Sequence, residues 1–346
     1  MNSFEQIREG NAAVFVPREK KVSKKLPVFY NPAMKLNRDV SILVLNSIDN
    51  TEMQIALPLA GTGVRGVRFL LELKKNKIKN ISLNDYSEKA AEIIKKNFQL
   101  NKIKITKKIR ATKKDANLFI LESSGFDYID IDPFGTPNYF LDSAVKRLAR
   151  EGILAVTATD TSALAGSFPS ACRRKYWAEP LKGELKHEAG LRIVIRKVQL
   201  IGAQFDKALT PIFAYSDLHY MRAFFSCEKG KHKVDRIISQ HGMLNNAGPM
   251  WLGRLWDSKI ASKIAKQSSE KMLKIIASES KIPSIGFYDI HRICKNNKVK
   301  QIPKMEDIMK KIRQKKHKAS LTHFSPTGIR ATISEKEIIR IIKAAK

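Results

Sequence analysis

The sequence predicts an α/β protein: a doubly wound parallel sheet followed by a smaller α+β domain. Three observations carry this expectation. From residue 53, apolar strands alternate with amphipathic helices. The first strand runs into Gly61, Gly63 and Gly66, a G-x-G-x-x-G that opens a helix. After about residue 215 the alternation gives way to another mixture of strands and helices. With 43% of the 346 residues hydrophobic, a core for this architecture is available.

The first 35 residues read as loop, with a lysine cluster at Lys20, Lys21, Lys24 and Lys25. Asn37 is placed to cap a helix through Val40, Leu43, Val44 and Ile48. MQIALPLA is then a strand, VRGVRFLLELKK a helix, ISLND a strand, and SEKAAEIIKKNFQL a helix capped by Ser87. ITKKIRAT is a third strand and FDYIDID a fourth. NYFLDSAVKRLA is the next helix and GILAVTAT the fifth strand. Beyond the change of rhythm, HYMRAFFSCEK and PMWLGRLW read as strands. Helical patterns cover 259–279, 287–296 and 305–316, THFSPTGIRATI holds a Ser-Pro-Thr-Gly turn, and EKEIIRIIKAAK is a final helix. The expected division is 1–216 and 217–346. No internal repeat or low-complexity tract interrupts it.

Charge points to the partner. Lys and Arg total 64 against 33 Asp and Glu, a net charge of +31. A polyanion is implied, nucleic acid first and an acidic membrane surface second. No run of about 18 apolar residues suggests a membrane helix, and the N-terminal segment lacks the apolar stretch of a secretory signal. Cys172, Cys227 and Cys294 are isolated, giving neither a disulfide framework nor a zinc pattern. A reducing, cytoplasmic setting is the default expectation.

The chemistry concentrates at strand ends. Glycines at 61, 63 and 66 permit a tight turn and close approach to a nucleotide-like ligand. Asp85 ends the following strand, where a carboxylate grips ribose hydroxyls. The loop alone leaves a nicotinamide cofactor and S-adenosylmethionine both open. Arg65 would meet phosphate in the first case and the methionine carboxylate in the second. Asp115 and Ala116 follow the third strand, at an adenine-binding position or a simple helix cap.

FDYIDIDPFG is the most informative segment. Asp132 stands at the carboxyl end of a strand, where open α/β sheets place their chemistry. Pro133 turns the chain, Phe134 offers an aromatic face, and Gly135 lets a flat ring approach. This set suits an exocyclic amino group. Such a nitrogen is a poor nucleophile because its lone pair is delocalised into the ring. A carboxylate that holds its hydrogens draws it toward an attacking geometry and takes the departing proton. Asp130 faces the same side and is left without a role.

Together, EGNAAVFVP, PVFYNPAMKLNRDVS, LAGTGVRGVR, LNDYS, DIDPFGTP, VTATDTSALAGSFPSACRRKY, HEAGLRIVIR, GPMWLGRLWD, FYDIHRI and KASLTHFSPTGIRAT resemble the tRNA (guanine-26 N2)-dimethyltransferase family in its archaeal form. The match spans nearly the whole chain. It implies a class I S-adenosylmethionine-dependent methyltransferase domain, Rossmann-like, with a family-specific C-terminal tRNA-binding domain. It implies transfer of one or two methyl groups to guanine N2. By motif position, Arg38, Gly61, Gly63, Arg65 and Asp85 would contact the cofactor, with Asp115 and Ala116 framing its adenine. Asp132 would be the catalytic carboxylate. Phe29 and Phe134 would hold a flipped guanine, beside Pro133. Many relatives carry paired cysteines ahead of GPxWLG. Here the region reads KVDRIISQHGMLNNAGPMW, and Cys227, His232 and His241 make no ligand set, so no metal is expected.

Three basic clusters suit an RNA backbone: Arg173, Arg174 and Lys175; Lys229, Lys231, Lys233 and Arg236; and Lys310, Lys311, Arg313, Lys315, Lys316 and Lys318. Guanine 26 is stacked between two tRNA stems, so base flipping is expected. tRNA is the expected partner, with no membrane and no stable protein partner. The competing readings are an amino-methyltransferase for another RNA or for DNA adenine, a non-catalytic nucleic-acid-binding protein, and a nicotinamide enzyme.

Overall fold

The computed structural model describes residues 3–19, 28–299 and 301–344. The lysines at 20, 21, 24 and 25 lie outside the described residues. The N-terminus, expected to be loop, forms an antiparallel hairpin of β1 (Phe4–Glu9) and β2 (Ala12–Pro17). A 3-10 turn, Pro32–Met34, leads into α1 (Lys35–Ser47). Asn37 therefore sits inside the helix rather than at its cap. Asn31 caps the preceding turn instead, accepting from Ala33 N at 3.0 Å.

The central sheet holds seven strands: β3 (Met53–Leu57), β4 (Ile78–Asp85), β5 (Ile109–Lys113), β6 (Phe126–Ile131), β7 (Leu148–Ala158), β8 (Lys207–Asp217) and β9 (Tyr220–Lys229). Their order is β5-β4-β3-β6-β7-β9-β8, and the pairs β3–β4, β4–β5, β3–β6 and β6–β7 are parallel. The intervening helices are α2 (Val64–Glu72), α3 (Glu88–Leu100), α4 (Ala116–Leu121) and α5 (Asn138–Arg147). This is the doubly wound α/β arrangement expected. Strand order reverses between β3 and β6, so their carboxyl ends flank the switch point where such sheets bind ligands.

Side chains explain how the elements lock. Ser87 caps α3, accepting from Ala90 N. That helix buries Ile93, Ile94 and Phe98, each contributing about 1.5–3 kcal/mol. Asn97 on the same helix accepts from Phe15 N at 2.7 Å and donates to Thr62 O at 2.8 Å. One buried amide thus ties the hairpin to the glycine loop.

The rest of the chain forms α6 (Thr161–Leu164), α7 (Pro169–Tyr176), α8 (Lys186–Ala203), α9 (Lys231–Ile238), β10 (His241–Leu244), β11 (Ala247–Trp251), α10 (Ser258–Lys266), α11 (Lys271–Glu279), β12 (Tyr288–Asp289), α12 (Ile290–Asn296), α13 (Met305–Gln314), β13 (Ala319–Thr322), β14 (Ser325–Ala331) and α14 (Glu335–Lys343). β12, β14 and β13 make a three-stranded sheet in that order. Ile290, Ile308, Ile312, Ile329 and Ile338 fill the core around it. The span 259–279 is two helices rather than one, and Ser-Pro-Thr-Gly begins a strand rather than forming a turn.

The chain divides into two compact units. The first is 1–160, 198–210 and 222–239; the second is 161–197, 211–221 and 240–346. A single cut at 216 falls inside β8, and the central sheet continues beyond it through β9. No helix among the described residues is long and apolar enough to cross a membrane.

Candidate active site

The glycine loop leaves β3 at the switch point. Gly61 has φ +53°, and a Cβ there would lie 2.7 Å from Phe29 O, so both conformation and space favour glycine. Gly66 is pressed against β4: a Cβ would stand 2.5 Å from Leu83 Cδ2. Gly63 caps α2 in a left-handed conformation. Thr62 N donates to Phe29 O, fixing Phe29 beside the loop.

Asp85 faces this loop. Its Oδ2 accepts from Gly61 N at 2.8 Å and its Oδ1 from Ser87 N at 3.0 Å. Burial raises its pKa, against the lowering by these N–H groups. Beyond it opens a cleft of about 590 Å³ lined by Tyr86, Ser87, Glu88, Lys113, Lys114 and Asp115. Asp115 caps α4, accepting from Asn117 N and Leu118 N, and Ala116 is buried behind it. Asp115 lines this cleft, and Asp85 and Ala116 each adjoin a lining residue in the chain.

Across the switch point, Asp132 follows β6. Its Oδ2 accepts from Arg65 Nη2 at 2.5 Å, and its side chain keeps 19% exposure. Pro133 is buried and Phe134 is exposed. Gly135 exchanges backbone and side-chain bonds with Thr159 at the end of β7. Its vacant Cβ direction meets nothing within 4 Å. Phe29 and Phe134 do meet, edge to face, with centroids 4.1 Å apart.

Arg65 is the hub of this site. It donates to Ser41 Oγ at 2.7 Å and Asn37 Oδ1 at 2.8 Å as well as to Asp132, and lies 3.4 Å from Asp130. Two carboxylates offset the helix dipole, which disfavours a cation in the first turn of α2. Beneath it lies Arg222 of β9, fully buried. Its Nη1 donates to Asp130 Oδ1 and Thr157 Oγ1, each at 2.8 Å. Its Nη2 donates to Asp130 Oδ2 at 2.7 Å and Ser41 Oγ at 2.9 Å. Burial alone would raise the Asp130 pKa, but Arg222 and then Arg65 outweigh it and hold it below the usual carboxylate value. Asp130 thus gains the role that the sequence left open. Two arginines and two aspartates balance, and only Asp132 stands partly in solvent.

Arg38, next to Asn37 on α1, reaches the N-terminal hairpin. Its Nε and Nη2 fork onto Glu9 at 2.7 and 2.6 Å, and Nη2 also donates to Asn31 O. Arg68 shares Glu9 at 3.0 Å. Burial opposes ionisation of Glu9, yet the two arginines and Tyr30 bring its pKa down to about 2. Arg173, Arg174 and Lys175 occupy the last turn of α7, in the second unit. Sequence reasoning missed Glu9, Ser41 and Arg222. The last had a signal: a single arginine inside the apolar run YMRAFF.

The sheet order, the glycine loop and Asp85 at the next strand's end are those of a class I, Rossmann-like methyltransferase. The family model described as N2,N2-dimethylguanosine tRNA methyltransferase matches residues 10–246 and 242–343. The chain belongs to this family. It is 36% identical to the tRNA (guanine(26)-N(2)/guanine(27)-N(2))-dimethyltransferase of Aquifex aeolicus, covering 97% of this chain and 95% of that one. It is 37% identical to the tRNA (guanine(26)-N(2))-dimethyltransferase of Pyrococcus horikoshii, over 98% of each. The solved structure of Trm1 from Pyrococcus horikoshii with S-adenosyl-L-methionine superposes with a TM-score of 0.88, at 36% identity over 98% of this chain and 99% of that one.

Proposed function

We infer that this chain methylates the exocyclic N2 of guanine 26 in tRNA, adding one or two methyl groups from S-adenosylmethionine. The observation that carries the reading is Asp132 at the switch point, held by Arg65 and flanked by Phe134, in a chain of this family. The donor set fits the cofactor. The glycine loop offers a close backbone approach, Asp85 a carboxylate for ribose hydroxyls, and the cleft beside Asp115 and Ala116 room for adenine. Arg38 and Arg65 contact the cofactor in this reading while keeping the carboxylates they already hold. When bound, S-adenosylmethionine supplies an electrophilic methyl group on a sulfonium.

Asp132 accepts a hydrogen bond from N2–H, draws the nitrogen toward tetrahedral geometry and takes its proton. Arg65 occupies Oδ2, which assigns the other oxygen to the amine. One N–H remains after a first transfer, so the same acceptor serves a second. Phe29 and Phe134 hold the flipped base, with Pro133 shaping the turn between carboxylate and ring. Stacking on both sides needs about 7 Å between the rings, so the edge contact of Phe29 with Phe134 opens when guanine enters. Positioning at Asp132 supplies most of the acceleration.

The second unit, which holds most of the region assigned to tRNA binding from 217 onward, contributes phosphate contacts through Arg173, Arg174, Lys175 and the lysines of 310–318. The enzyme works in the cytoplasm without a stable protein partner. The test pairs purified protein and labelled S-adenosylmethionine with unmodified tRNA carrying G26 or A26, followed by nucleoside mass analysis. N2-methyl or N2,N2-dimethylguanosine with G26 only is expected. Equal label in both tRNAs would move the target elsewhere.

A further inference from the structure

The second unit carries a feature that methyl transfer does not use. Trp177 ends α7 with φ +55° and ψ +41°, a left-handed conformation that favours glycine. Its N–H closes the helix end on Arg173 O at 3.0 Å, and Arg196 Nη1 donates to its carbonyl at 3.4 Å. Despite this anchored backbone, Trp177 is 53% exposed. The ammonium of Lys197 lies 3.0 Å from the ring centroid. Lys197 is itself nearly buried, and burial, then Arg196, brings its pKa down to about 8. A desolvated cation against an indole is a strong contact. Lys197 thus stands over one face of a tryptophan whose residue surface is about half open.

The surroundings are basic and aromatic. Arg173, Arg174 and Lys175 precede Trp177 in the last turn of α7. Phe168, 63% exposed, stands at the other end of the same helix. Cations that attract a phosphate backbone, interleaved with an exposed ring of fixed orientation, make the surface on which unpaired bases stack. Left-handed residues also end helices at Lys102, Lys298 and Lys316, so it is the exposed aromatic surface, not the turn, that sets Trp177 apart.

Resting on the tRNA reading above, we propose that Trp177 is a stacking platform for an unpaired base of the tRNA, with the basic turn of α7 holding the adjoining phosphates. The platform is preorganised, so stacking requires little further ordering of the protein. It acts in docking the RNA and leaves the methyl-transfer chemistry to the first unit.

The three tryptophans make the test direct. Trp251 and Trp256 are 3% and 6% exposed, so Trp177 is the one open to a neutral quencher. Acrylamide quenching of tryptophan fluorescence is measured with and without unmodified G26 tRNA. Binding is then compared for Trp177→Gly and Trp177→Phe. Saturating tRNA is expected to protect the accessible fluorescence. Trp177→Gly is expected to weaken tRNA binding roughly 5- to 100-fold, with a modest change in Tm, since relief of the left-handed backbone offsets part of the lost Lys197 contact. Trp177→Phe restores most of the affinity. Unprotected fluorescence, or wild-type affinity in Trp177→Gly, overturns the platform while wild-type binding and methylation stand. A wild-type protein that binds no tRNA overturns the functional reading and the platform together.

Discussion

Two buried charge clusters, one in each unit, are built from the same groups and end differently. In the first, Asp130, Arg222 and Arg65 lead to Asp132, whose side chain is 19% exposed. In the second, Arg330 of β14 donates to Glu188 at 2.6 Å and to Glu279 at 2.9 Å. Arg192 pairs with Glu188, and His323 Nδ1 lies 2.6 Å from Glu279. Every side chain of this second cluster is at most 2% exposed. The sealed cluster joins α8, α11 and β14 and offers no oxygen to a substrate. The open one spends the same buried pairing on fixing a single carboxylate at the surface. A buried ion pair alone therefore marks no active site. What marks it is a chain of fixed charges that ends at solvent beside a ligand-sized opening.

The largest effect is expected at the sealed cluster. Arg330→Met leaves Glu188 and Glu279 buried without their shared cation, and urea unfolding should show a loss of about 3–5 kcal/mol. Single-turnover methylation by the folded fraction, at saturating tRNA, should stay near wild type. A rate that fell with stability would erase the contrast between the clusters.

A smaller and different effect is expected for Arg222→Lys. The charge stays, but the fork onto Asp130, Thr157 and Ser41 is lost. Arg65, and through it Asp132, should drift. The single-turnover rate should fall roughly 10- to 100-fold, with the KM for S-adenosylmethionine nearly unchanged. An unchanged rate would reduce Arg222 to a structural residue.

A third effect is in acid. The Glu188 pKa is brought from 4.5 to about 2, because Arg330 and Arg192 outweigh the burial that would raise it. A depressed carboxylate contributes stability above its unfolded value and loses it as pH falls through the folded one. Stability should therefore decline from about pH 4.5 toward 2. Glu188→Gln should flatten that decline in denaturant titrations across the window.

Much of the first unit was legible because its strands are apolar runs closed by Gly, Pro or Asp. MQIALPLA, FDYIDID and GILAVTAT each declare a buried strand and its end. The hairpin at 4–17 was not, because FEQIRE has no period-2 apolar face and is held by the strand opposite, which Asn97 anchors at Phe15. β8 was hidden by Pro211, which argues against a strand. Pro326 misled in the same way; it sits in β14 beyond the residues that pair with β12. At the site, Asp132, Asp85 and the glycine loop were legible from position after a strand. Arg65 was assigned by motif, whereas its grip on Asp132 depends on Ser41, Asn37 and Arg222, which no local pattern brings together.

The central claim is that Asp132, set by Arg65, is the acceptor for guanine N2. The most direct measurement is single-turnover methylation by Asp132→Asn, with tRNA and S-adenosylmethionine binding measured on the same preparation. A rate lower by about 10²–10⁴ is expected, with both affinities within a few-fold of wild type. Methylation at the wild-type rate would contradict this role for Asp132.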